Sequence, residues 1–419
     1  MQVTFTFLFL VAGFLARSRA CAEISPLLRE VDGAPLVLTG GTILPFPGAT
    51  PIPDGVIVIE SGKITAFGRR GTVAPPSNAP MLDCRGDTIV AGFWNCHVHF
   101  TERKWVDAAH LPAEQLAQDL QQMLTRQGFT TVVDEGSVLP NTLSLRRRIE
   151  AGEVPGPRIF TAGIPLYPKD GIPWYVTESL PPEVVRQLYV PASAEEAVRD
   201  VDENVAGGAD LVKLFLVTGV RENGRIVLRN MDVRIVLAAT TEAHRLGKLV
   251  AVHPSNIDGV ELALAGHVDI LAHTIQDPEN WTPAVVSRLV AAHISLIPTL
   301  TLFGPTGNFS RVVGEVKSYT DAGGQVLFGT DVGFLTDYQS LSREFSYLGE
   351  SGLTLPQLLE TLTTAPAERF GLTGQTSRIA VGADADLVIL RGTPSEGARI
   401  LTQVAHTLRA GRMLYSSPQ

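Results

Sequence analysis

Eight short apolar runs, separated by amphipathic stretches, constrain this chain more than any other feature. They span residues 88–94, 129–134, 158–162, 210–216, 248–253, 268–273, 294–299 and 325–330. Continuous Val-, Ile- and Leu-rich runs of this length are the pattern of strands buried on both faces. Segments with helical periodicity lie between most of them, at 113–126, 194–205, 233–246, 256–265 and 284–292. Strand–helix repetition demands a parallel sheet with crossover helices, and eight such units make a (β/α)8 TIM barrel. The expected fold class is therefore α/β. Residues 163–193 form a long, proline-rich connection, and such a loop on a barrel is expected to serve or cover the active site.

The two ends of the chain read differently. Residues 36–44 form a strand-like run, and 55–60 and 63–67 flank Ser61-Gly62 as a hairpin. Residues 385–390 and 404–413 repeat this style. The ends are expected to pair into one composite β domain, 35–90 with 378–415, interrupted by a barrel over 91–377. A chain of 419 residues with 45% hydrophobic content accommodates both. The net charge of −9 is spread without runs, which excludes the basic face that a nucleic-acid partner requires. A small-molecule substrate fits, and composition leaves room for a homo-oligomer.

Three cysteines, Cys21, Cys84 and Cys96, are too few for a disulfide framework. Cys84 and Cys96 are expected to be buried thiols. Residues 5–15 are an apolar run too short to span a bilayer, and Ala20-Cys21-Ala22 gives a small-x-small cleavage pattern. Residues 1–22 are thus expected to be a signal peptide, and the protein to be exported, either periplasmic or secreted. Lipidation at Cys21 is the weaker alternative, because Ser18 and Arg19 are poor lipobox residues. No later run is apolar enough for a membrane span.

The polar residues at the strand ends carry the chemistry. His97 and His99 are two apart and project to one side of the first strand. Lys213 lies in the fourth strand, His253 ends the fifth, His273 ends the sixth and Asp331 follows the eighth. In a barrel these strand ends form one rim, where active sites are built. Imidazoles and a carboxylate suit zinc and similar divalent ions. A lysine ammonium does not, unless carbon dioxide converts it to a carbamate that bridges two metals. Two metals about 3.5–4 Å apart share a hydroxide and polarise a carbonyl, and Asp331 could also accept the attacking proton.

Each residue alone has a blander reading. Lys213, between Val212 and Leu214, could be a barrel-interior ion pair, and Asp331 a helix N-cap. His110, His244, His267, His293 and His406 read as structural. Cys96 is expected to alternate away from the two histidines beside it. Tyr175, Arg221, Phe303 and Tyr338 fall in loops above the rim, where general loop residues outnumber substrate contacts.

The sequence 92–99 (GFWNCHVH), 208–213 (GADLVK), 242–247 (EAHRLG) running into 250–253 (VAVH), 265–273 (AGHVDILAH), 328–331 (FGTD), and 364–367 with 382–387 resemble, in order, the motifs of the amidohydrolase superfamily. Within it the chain is similar to the imidazolonepropionase-like group that includes Xaa-Pro dipeptidases, and the resemblance covers almost all of 35–415. It implies a distorted barrel with a split β-sandwich and a one- or two-metal site. In the leading reading two zinc ions are bridged by carboxylated Lys213 and a hydroxide, with His97, His99 and Asp331 on one ion and His253 and His273 on the other. The implied activity is cleavage of a C–N bond in a dipeptide, N-acyl amino acid or cyclic amide, with Lys213 and Asp331 in catalytic roles. A mononuclear deaminase or imidazolone-type ring opener is the alternative, and a catalytically inactive barrel used for binding is the reading of another class. Asn95 stands where many relatives carry Asp, and Ser342-Arg343-Glu344 where some carry a histidine.

Overall fold

The computed structural model describes residues 35–180, 182–304, 309–339 and 341–418. The apolar run at 5–15, Cys21 and the expected signal peptide lie outside these residues. The chain opens with strands β1 (Leu36–Thr39), β2 (Thr42–Ile43), β3 (Gly55–Glu60), β4 (Lys63–Arg69), β5 (Met81–Asp83) and β6 (Asp87–Ala91). The middle carries β7 (Phe93–Val98), β8 (Phe129–Asp134), β9 (Arg158–Thr161), β10 (Leu211–Phe215), β11 (Val217–Glu222), β12 (Arg225–Asn230), β13 (Leu249–His253), β14 (Ile270–Ala272) and β15 (Ser295–Ile297). The chain closes with β16 (Leu387–Arg391), β17 (Val404–Arg409) and β18 (Arg412–Ser416).

Seven middle strands lie in two parallel sheets, β7-β8-β9 and β10-β13-β14-β15. Isolated parallel bridges continue the pattern from Leu166 to Leu214, from Leu296 to Val326 and from Val98 to Val332. Helices over Ala113–Met123, Ala194–Ala206, Val233–Arg245, Ile257–Ala265 and Pro283–Ala291 alternate with these strands, within two residues of their expected starts. Local chemistry sets several of those starts: Ser193, Asn256 and Thr282 each accept a backbone N–H of the first helical turn. The parallel strands bury both faces, as their apolar composition requires.

The structure departs from the sequence expectation at three places. The run 88–94 splits at Gly92, so that β6 joins the terminal sheet and β7 begins the parallel set. Gly92 packs on Thr130 so closely that a Cβ would lie 2.2 Å from its Oγ1, leaving space for no other residue. The run 325–330 forms no named strand, although Leu296 N donates to Gln325 O and Leu327 N to Leu296 O at 2.9 Å each, and Cys96 N donates to Phe328 O at 2.7 Å. The antiparallel hairpin β11–β12 replaces what read as plain loop. Its turn is Asn223-Gly224, both at positive φ, the dipeptide that favours a two-residue hairpin.

The two chain ends do meet. β6 pairs antiparallel with β16, and the sheet runs β18-β17-β16-β6-β2. A second sheet runs β4-β3-β1-β5. Leu38, Ile57, Ile59, Ile89, Leu387 and Ile389 share one buried cluster, so the N- and C-terminal segments fold against each other. Cys84 and Cys96 are free and buried. Among the described residues no helix is long and apolar enough to cross a membrane.

Candidate metal centre

The site is sewn together by backbone bonds from the end of β7 to the turn at Asp331. Asp331 N donates to His97 O at 2.9 Å, and His99 N donates to Val332 O at 2.7 Å. Asn95 reinforces this: its Nδ2 donates to Thr330 Oγ1 at 2.7 Å, while its Oδ1 accepts from His97 N and Thr330 N at 3.2 Å each. An amide both donates and accepts here, so Asn95 is a strut between two segments rather than a missing charge. Gly333 has φ +102, and a Cβ there would fall 1.9 Å from His99 O; only glycine permits that approach.

These bonds place three donor atoms around one point. His97 Nε2 lies 3.2 Å from His99 Nε2. Asp331 Oδ1 lies 3.4 Å from His97 Nε2 and 3.0 Å from His99 Nε2. Among the described residues this is the one group of three ligand-type side chains whose donor atoms all lie within 4.8 Å of each other. His99 Nδ1 is fixed by Gly136 O at 2.8 Å. That carbonyl belongs to a turn ordered by Asp134, whose Oδ1 accepts from Ser137 Oγ at 2.6 Å and from Gly136 N at 3.2 Å.

His253 and His273 stand beside this trio. The His97 and His273 rings are 4.6 Å apart and the His253 and His273 rings 4.7 Å apart. His273 Nδ1 bonds Thr299 Oγ1 at 2.6 Å, which fixes the ring and turns its other nitrogen inward. Asp331, His273 and Thr299 all have positive φ, at 58°, 85° and 47°. Left-handed backbone at non-glycine residues is strained, most of all for a β-branched residue such as Thr299. Glu344 holds the turn after Thr299, its carboxylate accepting from Leu300 N at 2.8 Å and from Thr301 N and Oγ1 at 2.7 Å each. Burial pushes the Glu344 carboxyl up to about 7 against these bonds.

Lys213 is fully buried on β10, and its Nζ donates to the carboxylate of Glu135. Glu135 Oε2 also lies 3.4 Å from His97 Nδ1. All six residues expected at the rim therefore surround one space, and the structure adds Glu135 and Asp134 to them. Both acids sit at the C-terminal end of the second expected strand, in Val133-Asp134-Glu135. The strand-end rule that selected His253 and His273 applies there equally.

Cys96 lies in the layer beneath, packed with Trp94, Ala251, Ile270 and Ile297. The β7 register shifts between Asn95 and Val98, so strict alternation does not run through the His97–His99 segment. Of the loop residues, Tyr175 packs edge-on to Phe334 at 5.1 Å, and Arg221 lies 4.8 Å over the Trp174 ring. Arg221 belongs to β11. Tyr338 is tied to Glu102 and Lys104, and Phe303 is buried.

The electrostatics suit a cation. Burial holds His253 down to about 3, with the Lys213 charge adding to it. His97 and His273 are shifted in the same direction by the same cause. At His99 burial is outweighed by the bond to Asp331 and by its charge, and the net shift is upward. Glu135 Oε1 and His97 Nδ1 are buried without a hydrogen-bond partner. Two imidazoles and a carboxylate converging at 3.0–3.4 Å form a donor set that fits a zinc-like ion.

The sequence signature of the Amidohydrolase family matches residues 88–414. The chain belongs to the amidohydrolase family. Its fold is TIM-barrel-like α/β, and it is a metal-dependent hydrolase acting on C–N bonds. A prolidase solved in complex with N-methylphosphonate-L-proline is 26% identical, covers 92% of this chain over 100% of its own length, and superposes with a TM-score of 0.73. A Xaa-Pro dipeptidase with bound methionine in its active site shares the fold at 21% identity and a TM-score of 0.76, over 92% of this chain and 100% of its own. Guanine deaminase from Escherichia coli (strain K12) is 23% identical over 82% of each chain.

Proposed function

We propose that this amidohydrolase cleaves the C–N bond of a small amide, with dipeptides first, then N-acyl amino acids and cyclic amides. The convergence of His97 Nε2, His99 Nε2 and Asp331 Oδ1 at 3.0–3.4 Å carries the reading. Those three residues would hold a divalent ion, which supplies polarisation of a carbonyl and a more acidic water. Asp331 accepts the proton of the water that attacks the carbonyl carbon. The C–N bond then breaks and Asp331 returns that proton to the leaving nitrogen. His273, oriented by Thr299, and His253 face the same space as neutral hydrogen-bonding groups. The likeness to a prolidase favours a dipeptide with an imide bond.

Several finer features belong to the same proposal. The ring of parallel strands is a distorted (β/α)8 barrel over 91–377, and the terminal sheets form a composite β-sandwich. The apolar run at 5–15 supports export and a role in processing external compounds.

The likeness to guanine deaminase favours a second reading, hydrolytic deamination of a ring. A panel of Xaa-Pro and other dipeptides, N-acyl amino acids, cyclic amides and guanine, assayed on metal-replete protein, separates the two. Release of free amino acid, lost in His97→Asn, is the expected result. Ammonia release from guanine without peptide cleavage would overturn it.

A further inference from the structure

We propose that Glu135 supplies the fixed anion of this centre, holding Lys213 as its counter-ion, so that one divalent ion binds at His97, His99 and Asp331 without a carboxylated lysine. This rests on the metal-dependent reading above and departs from the two-metal arrangement that the family resemblance implies.

The first observation is the contact itself. Lys213 and Glu135 are 1% and 0% exposed, and Glu135 is the hydrogen-bond partner of Nζ among the described residues. Carboxylation would join Nζ to the carbon of CO2 and release two protons from the ammonium. The lysine would change from cation to anion against a carboxylate with no water to screen it. Glu135 would then have to leave or be neutralised. No Lys or Arg other than Lys213 lies within ion-pair distance of it among the described residues.

The second observation concerns where Glu135 points. Its Oε2 lies 3.4 Å from His97 Nδ1, on the edge of the ring opposite Nε2. Nε2 is the nitrogen directed at His99 and Asp331. At 3.4 Å the carboxylate makes no hydrogen bond to Nδ1, but its negative charge lies behind the ring and makes the front nitrogen a better ligand. Glu135 is thus a positioning residue that joins Lys213 to the first ligand. The third observation is the donor set: His253 and His273 have no carboxylate within ion-pair distance among the described residues, and they form no three-residue group of their own.

The test uses the full chain, loaded with zinc in 13C-bicarbonate. Metal content is measured by mass spectrometry, and carbamate by 13C NMR against Lys213→Ala as blank. Wild type is expected to hold one zinc per chain with no Lys213-dependent carbamate signal. Glu135→Gln keeps the size of the side chain and is expected to weaken zinc binding about 10- to 100-fold. Glu135→Ala is expected to gain the carbamate signal, which general destabilisation would not produce. A carbamate in wild type, or two zinc ions per chain, overturns the proposal while leaving the hydrolase reading intact. A wild-type chain that binds no zinc overturns both.

Discussion

In the half of the rim built by His97 and His99, each imidazole has a carboxylate within 3.4 Å; in the half built by His253 and His273, among the described residues, neither does. Main-chain bonds hold both halves: His97 and His99 are tied to the Asp331 turn, and His273 N donates to Ile297 O at 2.7 Å. The His273 ring, however, is held by a single hydroxyl, on the strained Thr299. Identical side chains are therefore prepared for different work. Acids nearby make one pair strong donors to a cation, and burial together with neighbouring positive charge, Lys213 included, keeps the other pair neutral. A metal site needs both charge and rigidity, and the two halves supply them unequally.

The strongest test of this asymmetry is Asp331→Asn, which removes the shared carboxylate. Loss of a positioned base predicts a fall in kcat of about 1,000-fold, read on the best substrate of the panel. Paired variants come next. His97→Ala is expected to lose the metal, and His253→Ala to keep it while turnover falls; equal metal loss in both would show that the halves bind the ion together. Thr299→Val removes the bond to His273 Nδ1 and is expected to reduce kcat/KM about 10-fold, within the range for a partner of a site histidine, at unchanged metal content.

Glu344 gives the smallest effect, on stability. Glu344→Ala leaves the Leu300 and Thr301 N–H groups without acceptors, at a cost of about 1–3 kcal/mol. Its folded pKa, about 7 through burial, lies above the ordinary carboxylate value. The folded state therefore holds a proton that the unfolded chain releases, and stability should fall as pH rises from about 4.3 to about 7. Thermal melts of Glu344→Gln across that range should lack this part of the slope.

Much of this was legible in the sequence because the strands announce themselves. Val- and Ile-rich runs ending in His253 or His273 mark both an element and the end that faces the rim. Asp331 was legible in the same way. Glu135 carried the same strand-end signal, but an acid after Asp134 also resembles the start of an ordinary surface turn; its value appears only when β8 and β10 bring it to Lys213. The blander reading of Lys213, an interior ion pair, describes the contact observed. The break at Gly92 was hidden because 88–94 is uniformly apolar and only packing against Thr130 divides it. The β11–β12 hairpin had its signal in Asn223-Gly224, followed by the apolar Ile226-Val227-Leu228, which a loop reading of this stretch passes over.

The glycine at 333 sets a boundary for anyone wishing to retune this protein. There is no space beside His99 O for even a methyl group, a Cβ at Gly329 would fall 2.3 Å from Ile297 Cγ2, and Thr330 and Asp331 are bonded to Asn95 and His97, so the segment from Gly329 to Gly333 has little freedom. Libraries aimed at new substrates should hold those five positions constant. They should draw their diversity from Phe334 onward and from the Trp174–Ser179 helix that leans toward it, where a change of side chain can reshape the mouth without moving the floor.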